Sequence, residues 1–574
     1  MNIIFHLSTT FIFFNILVQI NSEEISISLN NISADMSNDY YSINNKILTI
    51  SKTGDYKISG SCSECQIVVD KKLEVKITLS SIEVDNSNTG PFIIKKNAVV
   101  NLVLEGSSKI TDKENIENES STDETIADAF EGAAIKFKSS SSLSISGTGT
   151  LTVNGNTKNG IKGAAQSILT INDGILIINA EKNALACDNL LTINGGKITI
   201  ISQSDGIKAE PDKDDKDSLG TIEINGGEIK IESQSDAIQA GYKLLINGGT
   251  FDIKTYKGSS ATDFDKDNMS AKGLKCSTNE HENVENILII NGGTFKLDTS
   301  DDAIHSDYNI TITGGAFEIS TGDDGVHADQ YLILGKLNAD NSLININIQK
   351  SYEGLEGSNI YIYSGTYSII SSDDGINSAG DSPEGCSNDR GGRPNGPGGN
   401  NRPMNLRNLQ NRESKCSIFH IIIYGGEIYV NSGSDGLDAN GDINIYGGNI
   451  EIWGMAKGGD GDPIDQDGTL TITGGTILAG GSQGMELIHR SEKTISQKFI
   501  YSTDSYNANK EMEIKDGDKT IRNFTIPKNI NYLFYTSKET TSNYKFSEGK
   551  TKNNSGDIII SGAINAILLF VLIF

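Results

Sequence analysis

The chain has 574 residues and a formal net charge of −27, from 75 Asp and Glu against 48 Lys and Arg. Binding nucleic acid needs a basic face, so this balance argues against a nucleic-acid partner. Gly is abundant at 61 and Pro scarce at 8, with Ile, Asn, Ser and Thr recurring between them, as in chains of many short strands joined by tight turns.

Residues 1–22 read as a signal peptide. The run FIFFNILVQI, Phe11 to Ile20, is apolar but too short to span a bilayer, and Asn21-Ser22-Glu23 follows it. Its start lacks the Lys or Arg that such segments usually carry. Residues 23–130 look like a β-rich leader and cap. In an oxidising compartment Cys62 and Cys65 (CSEC) can close a small loop. Sequons at Asn31, Asn118, Asn268, Asn309 and Asn523 are compatible with secretion.

Residues 131–490 carry an internal repeat. "LLTINGGKITI", "TIEINGGEIKI", "KLLINGGTFDI", "NITITGGAFEI" and "INIYGGNIEI" are copies of one phrase, with apolar residues alternating on either side of Gly-Gly. The leading glycines are Gly195, Gly226, Gly248, Gly292, Gly314, Gly425, Gly447 and Gly474. The steps 226 to 248, 292 to 314 and 425 to 447 are each 22 residues, and the longer steps contain polar insertions. One unit supplies three short strands and three turns but cannot bury its apolar face alone, so units stack. The expected fold is all-β, a parallel β-helix of about twelve coils.

Insertions at 210–218, 259–271 and 381–416 decorate the coils. The last holds Arg390, Arg393, Arg402, Arg407 and Arg412, and Cys386 and Cys416 flank it as a plausible staple. Residues 491–552, with "KFIYST" and "INYLFYTS", look like a C-terminal β-element closing the last coil. Residues 553–574 read as a GPI-attachment signal or a membrane tail: Asn553-Asn554-Ser555-Gly556 precede an apolar run to Phe574. Either reading makes the protein extracellular and anchored at the cell surface.

Stacking turns repeat positions into columns. Asn172, Asn194, Asn225, Asn247 and Asn291 fall in one column, suited to an internal amide ladder, and Tyr363, Tyr424 and Tyr446 continue it. Cys187 and Cys276 share another column but lie too many coils apart to bridge, so they should be free, buried thiols. A third column reads Asp302, Asp324, Glu353, Asp374, Asp435 and Asp462. Asp301, Asp323 and Asp373 precede it by one residue, and Asp307, Asp329 and Asp467 follow it by five.

Unit charges about 5 Å apart repel by roughly 3 kcal/mol at an effective dielectric near 20. A stacked acid row therefore has to be protonated, splayed into water or bridged by cations. Oxygen-only donors in a flexible scaffold suit Ca²⁺, and Asp460, Asp462, Asp465 and Asp467 add ligands near the last coils. His305 and His327 share an outward column, where a structural or ligand-contacting role is expected because hard Ca²⁺ prefers oxygen.

The phrases "SDGIKAE", "SDDAIHSD", "GDDGVHAD", "SDDGINSAG" and "SDGLDANG", interleaved with "INGG" strands, resemble the calcium-dependent polysaccharide-binding β-helix proteins of cell surfaces. That family is similar to family 9 pectate lyases. The resemblance covers about residues 130–550 and implies a right-handed β-helix with bound Ca²⁺ that binds acidic plant-wall polymers, polygalacturonate (pectin) especially and cellulose besides. Family members are regarded as binders. The alternatives are a calcium-dependent pectate lyase, for which Lys275 in the outward column is the candidate base, and a structural or adhesion protein of the surface.

Overall fold

The computed structural model describes residues 24–32, 34–277, 285–379, 419–458, 461–482 and 493–549. The expected signal peptide, the Arg-rich insertion with Cys386 and Cys416, Asp460 and the C-terminal tail lie outside the described residues.

Three short strands make one coil. Thr221–Ile224, Glu228–Ser233 and Ile238–Ala240 form one, and Lys243–Ile246, Thr250–Thr255 and Leu274–Cys276 form the next. Each strand pairs in parallel with its counterpart one coil on. This is a parallel β-helix. Strand alternation sends every second side chain inward, and Ile222, Ile224, Ile229 and Ile231 are each at most 1% exposed. Burying an Ile in this way contributes roughly 1.5–3 kcal/mol. Phe251, Phe295 and Phe317 stack inside successive coils at 4.6 and 4.5 Å between centroids.

The Gly-Gly pair has two separate jobs. A Cβ on Gly195 would sit 2.9 Å from the carbonyl oxygen of Asn172 in the preceding coil, so the first glycine permits close approach. The second, such as Gly249 at φ +115, takes a backbone conformation that side chains disfavour.

The parallel ladder starts before the expected boundary at 131. Ile25–Ser28 pairs with Gly54–Ser63, and Ser142–Gly147 pairs with Val99–Glu105, all in parallel. Strands between Ile25 and Asp112 therefore belong to the same stack, with the hairpin Tyr41–Asn44 and Ile47–Ile50 near its start. Short helical segments at Ile116–Ser120 and Glu124–Ala129 lead on to the next coil. Their long strands, including Glu74–Asn86, lack Gly-Gly, which hid the repeat.

At the far end Tyr532–Thr536 runs antiparallel to both Thr476–Gly481 and Phe499–Ser502. It covers an edge that would otherwise invite another chain. A three-stranded sheet of Glu511–Asp516, Lys519–Thr525 and Tyr544–Glu548 closes a second core around Trp453, Met512, Phe524 and Leu533.

Cys62 and Cys65 are disulfide-bonded, and Cys187 and Cys276 are free and buried, as expected. The amide ladder forms but on the outside. Asn194, Asn225, Asn247 and Asn291 each donate to the Asn before them at 2.8–2.9 Å, and all are exposed. Each follows a buried Ile, so alternation turns it to solvent. Tyr363 and Tyr424 stack 5.0 Å apart with an interplanar angle of 2°, covering one another's faces. Tyr446 follows at 5.3 Å.

Candidate functional site

The short strand that follows each acidic turn sets the register. Ile304–Ser306 pairs with Leu274–Cys276 and with Val326–Leu334, aligning Lys275, His305 and His327. The same column continues through Glu356, Asn377, Asp438 and Asp465. Two residues before these strands begin stand Asp302, Asp324, Glu353, Asp374, Asp435 and Asp462, the expected acid column.

Part of that column holds the turns together. The backbone N–H of Asp324 donates to Asp302 Oδ1 at 3.1 Å, that of Glu353 to Asp324 Oδ1 at 3.0 Å, and that of Asp435 to Asp374 Oδ1 at 2.8 Å. Asp462 donates likewise to Asp435 Oδ1. One oxygen per carboxylate thus stands in for a ladder carbonyl where the chain turns. Asp302 is 2% exposed and Asp324 6%, so these acids are not splayed into water.

Charge is balanced differently in the two halves. In the first half Lys272 occupies the acid column itself, one coil before Asp302, and lies 2.7 Å from Asp301 and 2.6 Å from Asp302. Burial is the largest influence on Asp302 and acts to raise its pKa, but Lys272 and His305 outweigh it and hold the carboxyl well below its usual range. Lys266, from the 259–271 insertion, sits 3.0 Å from Asp323. His305 Nδ1 is 2.9 Å from Asp302, and His327 Nδ1 is 3.1 Å from Glu356. Burial alone would lower the His327 pKa, yet Asp324, Asp302 and Asp329 together raise it to about 9. An open cleft of about 460 Å³ is lined by Lys266, Lys272, His305 and His327 together with Tyr352 and Glu353.

The second half is different. Burial, then Asp374, Asp435, Asp465 and Asp467, push the Asp438 carboxyl up to about 7. Burial and the same carboxylate neighbours, Asp374 and Asp465, raise Asp435 to about 7 as well. Glu353, between the halves, is raised to about 8 by burial and then by Asp324.

The remaining candidates fall out as follows. Asp307 and Asp329 back the histidines, at 3.0 Å from His305 Nε2 and 3.4 Å from His327 Nε2. Asp373 bonds the Tyr352 side chain. Asp465 lies on the strand Ile464–Gln466 in the column of Asp438, and Asp467 follows that strand directly. Lys275 stands in the expected outward column but is 8% exposed and bonded to Asp236 at 2.9 Å and to Ser270 at 3.1 Å. Asp205 pairs with Lys208 at 3.1 Å. In the 259–271 insertion Asp263 pairs with Lys257 and Asp265 bonds its own turn, while Lys266 reaches out to Asp323. Sequence reasoning missed Lys272, Glu356 and Asp438. Each is legible once "AKGLKC" is aligned beneath "SDAIQA", "EGLEGS" beneath "DGVHAD" and "DGLDAN" beneath "DGINSA".

A family model described as "Carbohydrate-binding domain-containing protein" matches residues 44–325. It supports carbohydrate binding and reaches as far as Asp302 and Asp324. Among solved structures the chain is similar to one described as "Structure of the polysaccharide lyase-like protein from C. thermocellum, Gadolinium derivative". The two share 28% identity over 40% of this chain and 90% of that one, with a TM-score of 0.35. No curated protein matches.

Proposed function

We propose that this chain is a calcium-dependent binder of acidic polysaccharide, of the polygalacturonate type found in plant walls, displayed on the outside of the cell. The observation that carries the reading is Asp438, which stands in register with Asp465 and is pushed up by burial and by four carboxylates, Asp374, Asp435, Asp465 and Asp467. Carboxylate oxygens are the donors that a hard divalent ion takes. Asp374, Asp435, Asp438, Asp462, Asp465 and Asp467 would hold it. Such an ion supplies positive charge with coordination positions open to a uronate carboxylate. The chain's own part is to fix the carboxylates in register, since the Asp435 amide is tied to Asp374 and the Asp462 amide to Asp435.

The matched carbohydrate-binding family model supports the sugar partner. Elimination of a uronate needs an amine free to take a proton. Lys275 is bonded to Asp236 and Ser270, and Lys272 to Asp301 and Asp302, which favours binding over lyase chemistry. Pull-down of the chain on insoluble polygalacturonate, with Ca²⁺ or with EGTA, tests the reading. Retention only with Ca²⁺ supports it; equal retention in EGTA, or none in either, refutes it.

A further inference from the structure

We propose that His305, His327 and Asp302, joined by Asp324 or Glu356, form a separate site for a borderline first-row metal ion of the Zn²⁺ class. The site goes beyond the calcium reading and uses none of the six residues proposed above to hold the calcium ion.

Geometry carries it. Two ligands at about 2.0–2.1 Å from a tetrahedral ion lie roughly 3.3 Å apart. Here Asp302 Oδ2 is 2.9 Å from His305 Nδ1 and 3.8 Å from His327 Nδ1, while His327 Nδ1 is 3.5 Å from Asp324 Oδ2 and 3.1 Å from Glu356 Oε2. The four spacings bracket the tetrahedral value. Both rings come from consecutive coils at paired positions and meet edge to face, 5.0 Å between centroids. The two Nδ1 atoms share one carboxylate, Asp302, and His327 Nδ1 also faces Asp324 and Glu356.

Two further observations point to a ligand. His305 Nδ1 is buried and makes no hydrogen bond; its short approach to Asp302 Oδ2 is out of line for one. A buried ring nitrogen 2.9 Å from a carboxylate oxygen, yet outside hydrogen-bond geometry, is placed like one of two donors converging on a third atom. Second, each Nε2 faces a carboxylate two residues on, Asp307 at 3.0 Å and Asp329 at 3.4 Å. A carboxylate behind a histidine fixes the tautomer and raises the basicity of the nitrogen that ligates. Finding it twice, on both rings, is the pattern of a metal site. Imidazole nitrogen suits Zn²⁺, Co²⁺ or Ni²⁺ and does not suit Ca²⁺. Lys272 shares Asp302 but also holds Asp301, so it keeps a partner when an ion draws Asp302 away.

The test is Co²⁺ titration of the chelator-stripped full chain, read by visible absorption. The site predicts one equivalent with an intense tetrahedral-type spectrum, displaced by stoichiometric Zn²⁺ and not by excess Ca²⁺. Asp307→Asn should weaken binding by roughly ten- to a hundredfold, His327→Gln should abolish it, and Asp438→Asn should leave it unchanged. Absence of the spectrum, displacement by Ca²⁺ as readily as by Zn²⁺, or persistence in His327→Gln overturns the proposal. X-ray absorption of the Zn²⁺-loaded, unaltered chain decides independently of whether variants fold: imidazole scattering supports the site and an oxygen-only shell refutes it.

Discussion

Lys272 occupies in its own coil the position that Asp302 occupies in the next, and its ammonium lies 2.6 Å from the Asp302 carboxylate. A column that reads as uninterrupted acid from Asp302 onward thus starts on a built-in cation. Lys272→Met should leave Asp301 without its cation and Asp302 with only the histidines beside it. Removing one partner of a buried pair costs about 3–5 kcal/mol. Urea denaturation of the variant against the parent measures it, and a change near zero would show that Lys272 does not balance the column.

Removal of divalent ions should make stability fall as pH rises. Asp435 and Asp438 carry folded-state pKa values of about 7 against an ordinary 3.8. Between those values the folded chain holds more protons than the unfolded one, so their ionisation destabilises the fold over that window. His327, raised to about 9 from 6.5, contributes stability that is complete below 6.5 and lost as pH rises through about 9. Both act in the same direction in adjoining windows. Melting temperature in EGTA should therefore be higher at pH 5 than at pH 8 (on the order of several degrees), and Ca²⁺ should narrow the gap by stabilising the ionised acids.

The outer asparagine ladder and the glycine turn beside it should differ in cost. Asn247→Ala removes exposed amide bonds and should cost under about 1 kcal/mol. Gly249→Ala forces a side chain into φ +115 with its Cβ 3.3 Å from the Gly227 carbonyl oxygen, for about 1–3 kcal/mol. Equilibrium denaturation of the pair ranks them.

Incubation with polygalacturonate and Ca²⁺ should release no unsaturated uronate, because Lys275 and Lys272 are both engaged by carboxylates. Ultraviolet absorbance follows the product directly, and a rise that Lys275→Met abolishes would restore the lyase reading.

Much of this architecture was legible because a repeat converts spacing into geometry. The 22-residue steps between glycines were enough to predict the coils and to align Asp302, Asp324, Glu353, Asp374, Asp435 and Asp462. What stayed hidden had local causes. The first coils use long strands without Gly-Gly, so their membership in the stack shows only through pairing. The asparagine ladder was placed inside although strand parity after the buried Ile193 sends Asn194 outward. Lys272 escaped notice because its coil replaces the acidic phrase with "SAKGLK" behind an insertion. The ligand potential of His305 and His327 could not be read from residue type alone, since it depends on which ring nitrogen faces Asp302 and which faces Asp307 or Asp329.

Calorimetric titration of Ca²⁺ into the purified chain, with and without polygalacturonate, tests the central claim most directly. The account predicts Ca²⁺ uptake that the polymer tightens and that Asp438→Asn combined with Asp465→Asn removes. Heat of Ca²⁺ binding that is absent in the parent, or unchanged in the double variant and indifferent to the polymer, would contradict it.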